Sequence, residues 1–574
     1  MQLDISDARA VASLPAAICI IGAGAAGITL ACELDGYDFP VLLVDVGFSQ
    51  NTDTICRGLA TGGHAPPNEF RRMGFGGTTS IWGGRCVPFD EVDFELRSHV
   101  SNSGWPISYD DVARYYPRAL RYCQAGECDF SVNTSLADPL PIVSDLSNAD
   151  GLIADRLERY SPPTNFGLIY RDAIARSKNV TAVSGLRCIR LIKAPCSDRI
   201  EFAEFADRSG QLLRIRSDLF VVSAGGIETV RLLFDSDTVG AGLGNRYDCL
   251  GRFYSCHFEN ICARLVPGEA RIAFGFEKTL DGVYARRKLL FTSQAQRDHN
   301  LLNCTFRLHF PDYSDARHGS SVMSLIYLAK LQLIPEYQKI LARSSSSKMH
   351  ISSAASHLRN IVGGTPELAS FAVQQISSAF FSTRRIPYTL VAAADGSYPL
   401  ELNSEQTPLW HSRITPMGSP DQHGVHDVLI DWKIANSDIL AAGRAFSVLR
   451  DTFAKTAHCR IEFDEGELLD TLSHSRPVGG HHIGGTRMAG SPRRGVVDQD
   501  CRIFGLSNCF ISSSSTFSTS SHANPTLTIV AMAVRLAGHL GKLQLGTVEI
   551  ERTAVHALSL DPPIDPQIQP PREA

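Results

Sequence analysis

The stretch AAICIIGAGAAGITLACEL, residues 16–34, decides the fold of the N-terminal part of the chain. A short run rich in isoleucine leads into Gly22-x-Gly24-x-x-Gly27, a helix is expected to follow, and a second apolar run, FPVLLVDVG, ends at Asp45. In such a unit the first glycine permits a tight turn, the second lets a pyrophosphate approach the backbone, and the third lets helix and strand pack closely. The pattern therefore predicts a Rossmann-type dinucleotide-binding unit.

The same residues restrict the choice of dinucleotide. The N-terminus of the helix offers free N–H groups and the positive end of its dipole to phosphates. Asp45 lies at the position from which an acidic side chain accepts hydrogen bonds from a ribose diol. A carboxylate there disfavours a 2′-phosphate, which argues against NADP. These residues alone leave FAD and NAD open.

Composition excludes several classes of protein. A chain of 574 residues exceeds one typical core, so we expect two domains, which can be interleaved. The formal net charge of -5 argues against a nucleic-acid or anionic-membrane binder. The 15 cysteines form no C-x-x-C pair, which indicates reduced thiols and no metal site. With an acidic N-terminus and no apolar stretch long enough to span a membrane, the sequence predicts a cytoplasmic location.

Further glycine-rich segments indicate a domain assembled from separated parts. RRMGFGGTTSIWGGRCVPFDEVDF begins at residue 71, and a predicted strand Leu219–Ser223 leads into Ala224-Gly225-Gly226 and a helix. Alternating stretches between about 260 and 475 indicate antiparallel strands. We predict an α/β (α+β) fold with a discontinuous Rossmann-type domain and a substrate domain built on an antiparallel sheet with helices. The expected boundaries are 1–160, 161–262 and 477–545 for the nucleotide domain, 263–476 for the substrate domain, and 546–574 for a Pro-rich tail.

Together with GGHHIGGTRMAG at 479–490 and STFSTSSHANPTLTIVAMA at 515–533, these motifs resemble those of the glucose–methanol–choline (GMC) flavoprotein oxidoreductases, in the same order. More narrowly, GGTTSIWGG paired with NSGWPISYDDVARYY is similar to the branch around pyranose oxidase and the fructose and gluconate dehydrogenases. The resemblance implies FAD as the cofactor. It also implies that the C-terminal segment folds back to complete the flavin domain.

The resemblance assigns chemistry to two side chains. HIGGT matches the family's catalytic loop, which implies that His482 is the base that removes the hydroxyl proton, and Asn524 falls on the second catalytic position. His481 and His522 are close neighbours that lie off the motif. The implied flavin-binding residues are Gly22, Gly24, Ala25, Ala26, Gly27, Asp45, Gly76, Gly77, Thr78, Thr79, Trp82, Gly83, Cys188, Ala224, Gly225, Ser513, Ser514, Asn524, Pro525 and Thr526.

The resemblance further implies oxidation of a secondary hydroxyl of a sugar, glycoside or polyol to a ketone. Ile81 stands where the pyranose oxidase pattern has the histidine that bonds covalently to flavin, so we expect FAD to be held non-covalently. The expected partners are an alcohol substrate and oxygen or another electron acceptor, and assembly into a homo-oligomer is left open. The alternatives are a GMC enzyme for a bulky natural-product alcohol, a non-redox lyase of the same fold, and an NAD-dependent dehydrogenase, which would leave the C-terminal motifs unexplained.

Overall fold

The computed structural model describes residues 16–47, 58–144, 151–237, 241–333, 351–381, 395–456 and 458–546, together with positions 2–4, 14, 146 and 392–393. Strands β1 to β20 span, in chain order, Gln2–Asp4, Ile18–Ile21, Val41–Asp45, Gly58–Thr61, Arg85–Cys86, Leu152–Tyr160, Val180–Ser184, Arg187–Lys193, Ile200–Ala206, Leu212–Ile215, Leu219–Val222, Phe258–Pro267, Glu277–Lys278, Tyr284–Phe291, Cys304–Leu308, Tyr398–Ser404, Arg413–Met417, Asp427–Asp431, Cys459–Glu462 and Cys509–Ile511.

The α-helices of the described residues are numbered in the same way. Helices α1 to α14 span Ala25–Leu34, Asp110–Ala113, Tyr116–Tyr122, Val132–Ser135, Phe166–Ile169, Arg171–Arg176, Gly226–Asp235, Ser293–Asp298, Ser321–Leu333, Ile351–Gly363, Thr365–Phe381, Asn436–Thr456, Leu468–Ser473 and Pro525–Gln544. One 3₁₀ turn, Gly77–Ser80, lies in the glycine-rich loop predicted to approach the cofactor.

A six-stranded parallel sheet forms the nucleotide domain, in the order β1-β7-β3-β2-β11-β20. Its inner strands β2, β3 and β11 are buried along their whole length. They are mostly apolar, as expected where both faces of a parallel sheet are covered. Because the strands come from both halves of the chain, the predicted discontinuous Rossmann-type domain is confirmed.

The turn between β2 and α1 shows why its glycines are required. Gly22 has φ +105°, in the left-handed region that favours glycine. A Cβ placed on Gly27 would lie 1.9 Å from the carbonyl oxygen of Gly22, so the helix packs directly on the turn. No atom lies within 4 Å of a Cβ placed on Gly24, which faces open space. The three glycines thus have the distinct roles that the sequence predicted.

The C-terminal segment returns to the edge of this sheet. Strand β20 pairs in parallel with β11, with Phe220 opposite Cys509, and α14 then packs against α1 and α3. A hydrogen bond of 3.0 Å joins the Tyr116 hydroxyl of α3 to Thr528 of α14. By length and composition α14 is the one described helix that is apolar enough to cross a membrane, yet 61% of it is buried within the protein. Its apolar character therefore serves the core of the nucleotide domain.

The second large sheet is antiparallel and confirms the predicted sheet of the substrate domain. Its order is β19-β12-β16-β15-β14-β6-β5, with β13 paired to β14. Strands β5 and β6, which precede the predicted boundary at 160, pair here and not in the parallel sheet. Most of the predicted tail, from residue 547 onward, lies outside the described residues. The domain boundaries themselves remain predictions.

The turn glycines provide a stability test. Gly27→Ala should lower the free energy of unfolding by about 1–3 kcal/mol or more, because the added methyl group overlaps a backbone carbonyl. Gly24→Ala is the matched control, since its methyl group enters open space and φ at Gly24 is -83°. Denaturant unfolding of both variants measures the difference. Equal stability of the two would show that α1 does not pack on the turn as described.

Candidate functional site

A long cleft runs along the carboxyl ends of strands β2, β3, β11 and β20, where open α/β sheets bind ligands. Its empty volume is about 1410 Å³, including the part open to solvent. Of the predicted flavin-binding residues, those that line the cleft are Gly22, Gly24, Ala25, Ala26, Asp45, Gly77, Thr78, Thr79, Trp82, Cys188, Ala224, Gly225, Ser513, Ser514, Pro525 and Thr526. Gly27, Gly76, Gly83 and Asn524 are not among the lining residues.

Three helix N-termini meet the cleft without a side chain blocking them. Gly24 caps α1 and Gly225 precedes α7, and a Cβ placed on either would meet no atom within 4 Å. Asn524 precedes α14 and makes no side-chain hydrogen bond to the helix, whose first residue is Pro525. Unpaired backbone N–H groups at such termini bind anionic groups. The cleft is thus built for a ligand with phosphates, and its residues fit a dinucleotide.

Asp45 holds the phosphate turn itself. Its carboxylate accepts hydrogen bonds of 2.9 Å from the backbone N–H groups of Ala23 and Gly47. Burial raises the pKa of Asp45, and the two backbone donors act in the opposite direction. Asp45 also lines the cleft, so the predicted contact with a ribose remains a prediction, beside a structural role that the sequence did not suggest.

Sequence reasoning missed a group of charged side chains along the same cleft. Arg71, Arg187 and Arg231 all lie within 3.7 Å of the Glu228 carboxylate. Burial works against ionisation of Glu228, but the three guanidinium groups lower its pKa to about 2. Arg231 also pairs with Asp235 at 2.5 Å and Arg187 lies 4.0 Å from Asp421, so these carboxylates balance part of the positive charge beside the phosphate-binding turns. The pair of arginines ahead of the glycine loop was the available signal in the sequence.

Two histidines and Asn524 form one hydrogen-bonded chain. His257 Nε2 lies 2.9 Å from the carbonyl oxygen of Ser520, His257 Nδ1 lies 2.9 Å from His481 Nδ1, and His481 Nε2 lies 3.0 Å from Asn524 Nδ2. We assign the ring protons from these partners. A carbonyl only accepts, so His257 carries its proton on Nε2 and accepts from His481 Nδ1–H. His481 then accepts from Asn524 through Nε2, and both of its ring nitrogens are occupied.

His482 belongs to a separate cluster, and both His481 and His482 line the cleft. Its Nδ1 lies 2.7 Å from the hydroxyl of Tyr254, while its Nε2 is buried and has no hydrogen-bond partner among the described residues. Burial, followed by the charges of His64 and Arg71, lowers the pKa of His482 well below 6.5, so the ring is neutral at physiological pH. Asn524 contacts His481 instead of His482, so the predicted catalytic pair is not joined by a direct hydrogen bond.

His522, the other histidine close to the motif, makes its hydrogen bond outside the cleft. Its Nε2 lies 3.0 Å from the carboxylate of Asp90, and burial lowers its pKa to about 4. A neutral His522 therefore donates to Asp90 through Nε2, which leaves Nδ1 as an acceptor without a partner among the described residues. His522 does not line the cleft.

One cluster of the described residues has the composition of a metal site. His64, Cys256 and His482 bring potential ligand atoms within 4.8 Å of one another. The Tyr254 hydroxyl contacts both imidazoles and lies 3.4 Å from the Cys256 sulfur, so hydrogen bonds account for the grouping. The predicted absence of a metal remains a prediction.

The parallel sheet, the dinucleotide cleft and the imidazoles at one part of its wall define a Rossmann-type nucleotide-binding protein with a candidate acid–base site. Residues 408–533 match the family model described as GMC oxidoreductase. This match covers the His482 loop and the start of α14. The chain therefore carries the C-terminal domain of the GMC oxidoreductases, as its motifs predicted.

Other comparisons cover less of the chain or are more distant. A cholesterol oxidase of Acinetobacter baumannii is 38% identical over 64 residues, which are 11% of this chain and 12% of that relative's length. Among solved structures, pyridoxine 4-oxidase from Mesorbium loti is 16% identical with a TM-score of 0.49, covering 91% of this chain and 99% of the other. A formate oxidase is 15% identical with a TM-score of 0.49, covering 93% and 100%.

The role of Asp45 in the turn can be tested directly. Asp45→Asn should lower the free energy of unfolding by about 1–3 kcal/mol, because one buried N–H loses its acceptor and faces an N–H donor instead. Asp38→Asn, at an exposed position, is the control and should leave stability unchanged. Unfolding of the protein stripped of ligand separates this effect from ribose binding. If Asp45→Asn is as stable as the control, the carboxylate has no role in the turn.

Proposed function

We propose that this protein is an FAD-dependent alcohol oxidoreductase that oxidises a secondary hydroxyl of a sugar, glycoside or polyol to a ketone. The observation that carries the proposal is the buried, unpartnered Nε2 of His482 on the wall of a dinucleotide cleft, where no described residue occupies it. A neutral imidazole with a free lone pair is the side-chain group best suited to take a hydroxyl proton at physiological pH.

The chain has the groups needed to hold FAD. The turn Gly22–Gly27 and the N-terminus of α1 would bind the pyrophosphate, with the cations around Glu228 beside them. Pro525 and Thr526 would place the N-terminus of α14 against another part of the cofactor, where its dipole favours negative charge. When bound, FAD supplies the hydride acceptor that no amino-acid side chain provides.

The protein's own part in the reaction is proton transfer. The substrate O–H bond breaks and its proton bonds to His482 Nε2, which becomes an imidazolium. Asn524 uses one of its two amide hydrogens on His481, and the other is available to the alkoxide that forms. His481 cannot take the proton in the same state, because Asn524 occupies its Nε2. Because Nε2 is occupied in His481 and free in His482, the hydrogen bonds support His482 as the base.

The unpartnered Nε2 of His482 on the cleft wall suits the reacting hydroxyl of an alcohol. Nε2 of His482 is a buried acceptor without a partner among the described residues and lines the cleft, whereas Nδ1 of His522 and Oδ1 of Asn524 belong to residues that do not line it. The reacting hydroxyl of a polyol or of a largely apolar alcohol can donate to Nε2 of His482. Burial is the main cause that lowers the pKa of His481, and the charges of nearby groups, Arg85 and Arg307 among them, act in the same direction. The preference for a sugar, glycoside or polyol over a bulky natural-product alcohol therefore rests on the sequence resemblance.

Three further parts of the proposal rest on the sequence. They are a cytoplasmic location, oxygen or another carrier as the electron acceptor, and a small-molecule alcohol as the substrate. A lyase of the same fold would use the same cleft and the same base without transferring electrons. The distinction between lyase and oxidoreductase therefore depends on the reduction of bound flavin.

Anaerobic mixing with a panel of sugars, glycosides, polyols and polycyclic alcohols tests the proposal. We expect the purified protein to be yellow and its flavin to be bleached by a hydroxyl-rich compound, with a ketone as the product. Bleaching by polycyclic alcohols alone would contradict the sugar or polyol substrate and would support the alternative, an enzyme for a bulky natural-product alcohol. A flavin that no alcohol reduces, in a protein that cleaves a hydroxylated substrate, would establish the lyase.

His482→Ala should slow flavin reduction by about 10²–10⁴-fold, the range for loss of a general base. Bound flavin should be retained, because the imidazole takes part in proton transfer and does not close the phosphate turns. His481→Ala is the comparison and should have a smaller effect, since it only releases Asn524. Rapid-mixing measurements of both variants decide the assignment. If His481→Ala is the slower variant, the base has been assigned to the wrong histidine.

The rate of flavin reduction should be flat between neutral pH and pH 6.5 and should fall only at lower pH. The base must be neutral to act, and its pKa lies below the ordinary value of 6.5. As the pH falls through that lowered pKa, the protonated fraction of His482 grows and the rate declines. A pH profile of the reduction rate, measured with a non-ionising substrate, tests this directly. A decline centred at or above pH 6.5 would contradict a buried, neutral His482.

FAD should be released completely by acid precipitation, and the protein mass should equal that of the bare chain. Ile81 follows the 3₁₀ turn Gly77–Ser80, is 46% exposed and has no nucleophilic atom. Colour measurements on pellet and supernatant, together with intact-mass spectrometry, check the outcome. A mass increase equal to FAD would show that another residue forms the covalent link.

A further inference from the structure

Two side chains to which the sequence assigned no role connect His482 to the protein backbone. His64 is buried, and its Nδ1 lies 2.6 Å from the carbonyl oxygen of Ala65. His64 Nε2 lies 2.8 Å from the hydroxyl of Tyr254, and that hydroxyl lies 2.7 Å from His482 Nδ1. Tyr254 is fully buried, and its hydroxyl oxygen is within hydrogen-bond distance of both imidazoles.

The backbone carbonyl fixes the direction of this chain. A carbonyl oxygen only accepts, so Nδ1 of His64 must carry a hydrogen. Burial lowers the pKa of His64, so its ring is neutral and Nε2 is left with a lone pair. Burial also raises the pKa of Tyr254 well above its ordinary value, so its hydroxyl keeps its proton. The Tyr254 O–H therefore donates to His64, and its oxygen is free to accept.

We propose that His64 and Tyr254 are positioning residues that hold His482 in the tautomer with hydrogen on Nδ1, which leaves Nε2 as the base. This inference rests on the proposed function of His482. The Tyr254 oxygen can accept only from a hydrogen on His482 Nδ1, so the lone pair of a neutral ring lies on Nε2. After proton transfer the Nδ1–H still donates to Tyr254, so the same bond stabilises the imidazolium.

The nearby thiol does not alter this direction. The Cys256 sulfur lies 3.4 Å from the Tyr254 oxygen and 3.6 Å from His64 Nε2. Burial raises the pKa of Cys256 to about 12, so it is a neutral thiol and a weak donor. The stronger O–H donor of Tyr254 occupies His64 Nε2. Cys256→Ala is therefore a suitable control, because it removes the thiol and keeps the hydrogen bonds that join His64, Tyr254 and His482.

Nitrogen NMR of the full-length protein labelled with ¹⁵N-histidine measures the tautomers directly. The resonances of His482 are identified by their loss in His482→Gln. We expect the Nδ1–H tautomer for His482 in the wild type and in Cys256→Ala. In His64→Ala the freed Tyr254 O–H can donate to His482 Nδ1, so the Nε2–H tautomer should replace it. His64→Gln should preserve the wild-type state, because its amide oxygen can accept from Tyr254.

The rate of flavin reduction should depend on the tautomer of His482. His64→Ala should lose at least about 10-fold and up to about 10⁴-fold in rate, the loss seen elsewhere when a catalytic imidazole is held in the wrong tautomer. His64→Gln should stay within a few-fold of the wild type. Both variants remove the ring, so a role in packing alone would affect them equally, and equal losses would overturn the proposal.

Two wild-type results would overturn it even if the variants did not fold. One is the Nε2–H tautomer of His482, and the other is a stoichiometric metal ion on His64, Cys256 and His482, detected by elemental analysis. The tautomer can be read whether or not an alcohol reduces the flavin. If the tautomers change as expected while no alcohol is oxidised, the positioning role stands and the proposed function fails.

Discussion

The pairing of β20 with β11 is the constraint on which the rest of the site depends. This short parallel contact, with Phe220 opposite Cys509 and Val222 opposite Ile511, anchors a segment that arrives from the far end of the chain. The Ser512 N–H then donates to the carbonyl of Val222, so the chain leaves the sheet at the same edge as the phosphate turn. Without that register, the loop after β20 and the N-terminus of α14 would not reach the cleft.

A second set of backbone hydrogen bonds holds the loop that contains His481 and His482 between the edge of the parallel sheet and the imidazole cluster. Ile483 pairs with Ser255, and Gly484 and Thr486 donate to the carbonyls of Ser514 and Ser515. The loop is thus held on one side by the segment leading into β12 and on the other by the segment following β20. The site therefore lies where the two large sheets are joined, and its geometry depends on both.

The sequence predicted those parts of the structure that local sterics determine. The roles of Gly22, Gly24 and Gly27 follow from the space available to a Cβ, and spacing in the sequence is enough to reveal them. The same is true of the discontinuous parallel sheet, whose strands are short apolar runs before glycines. The position of β6 was not predicted, because alternation along a strand does not say which sheet it joins.

The hydrogen-bond partners within the candidate site could not be predicted from the sequence, for a related reason. His482 was found through its motif, but its hydrogen-bond partner, Tyr254, comes from a distant segment to which the sequence assigned no chemistry. Likewise, the contact of Asn524 with His481 depends on the direction in which each side chain leaves a folded loop. Residue identity indicates which chemistry is available, whereas the assignment of donors and acceptors requires the three-dimensional neighbours.

The position of β20 at the edge of the parallel sheet has a consequence for biosynthesis. Strand β11 is made long before Cys509–Ile511 leaves the ribosome, so one apolar edge of the sheet stays without its neighbour while residues 223–508 are synthesised. Contacts between residues so far apart in sequence form slowly, and unpaired strand edges attract other chains. The nascent protein is therefore a natural client for chaperones until Cys509–Ile511 has been synthesised and has paired with β11.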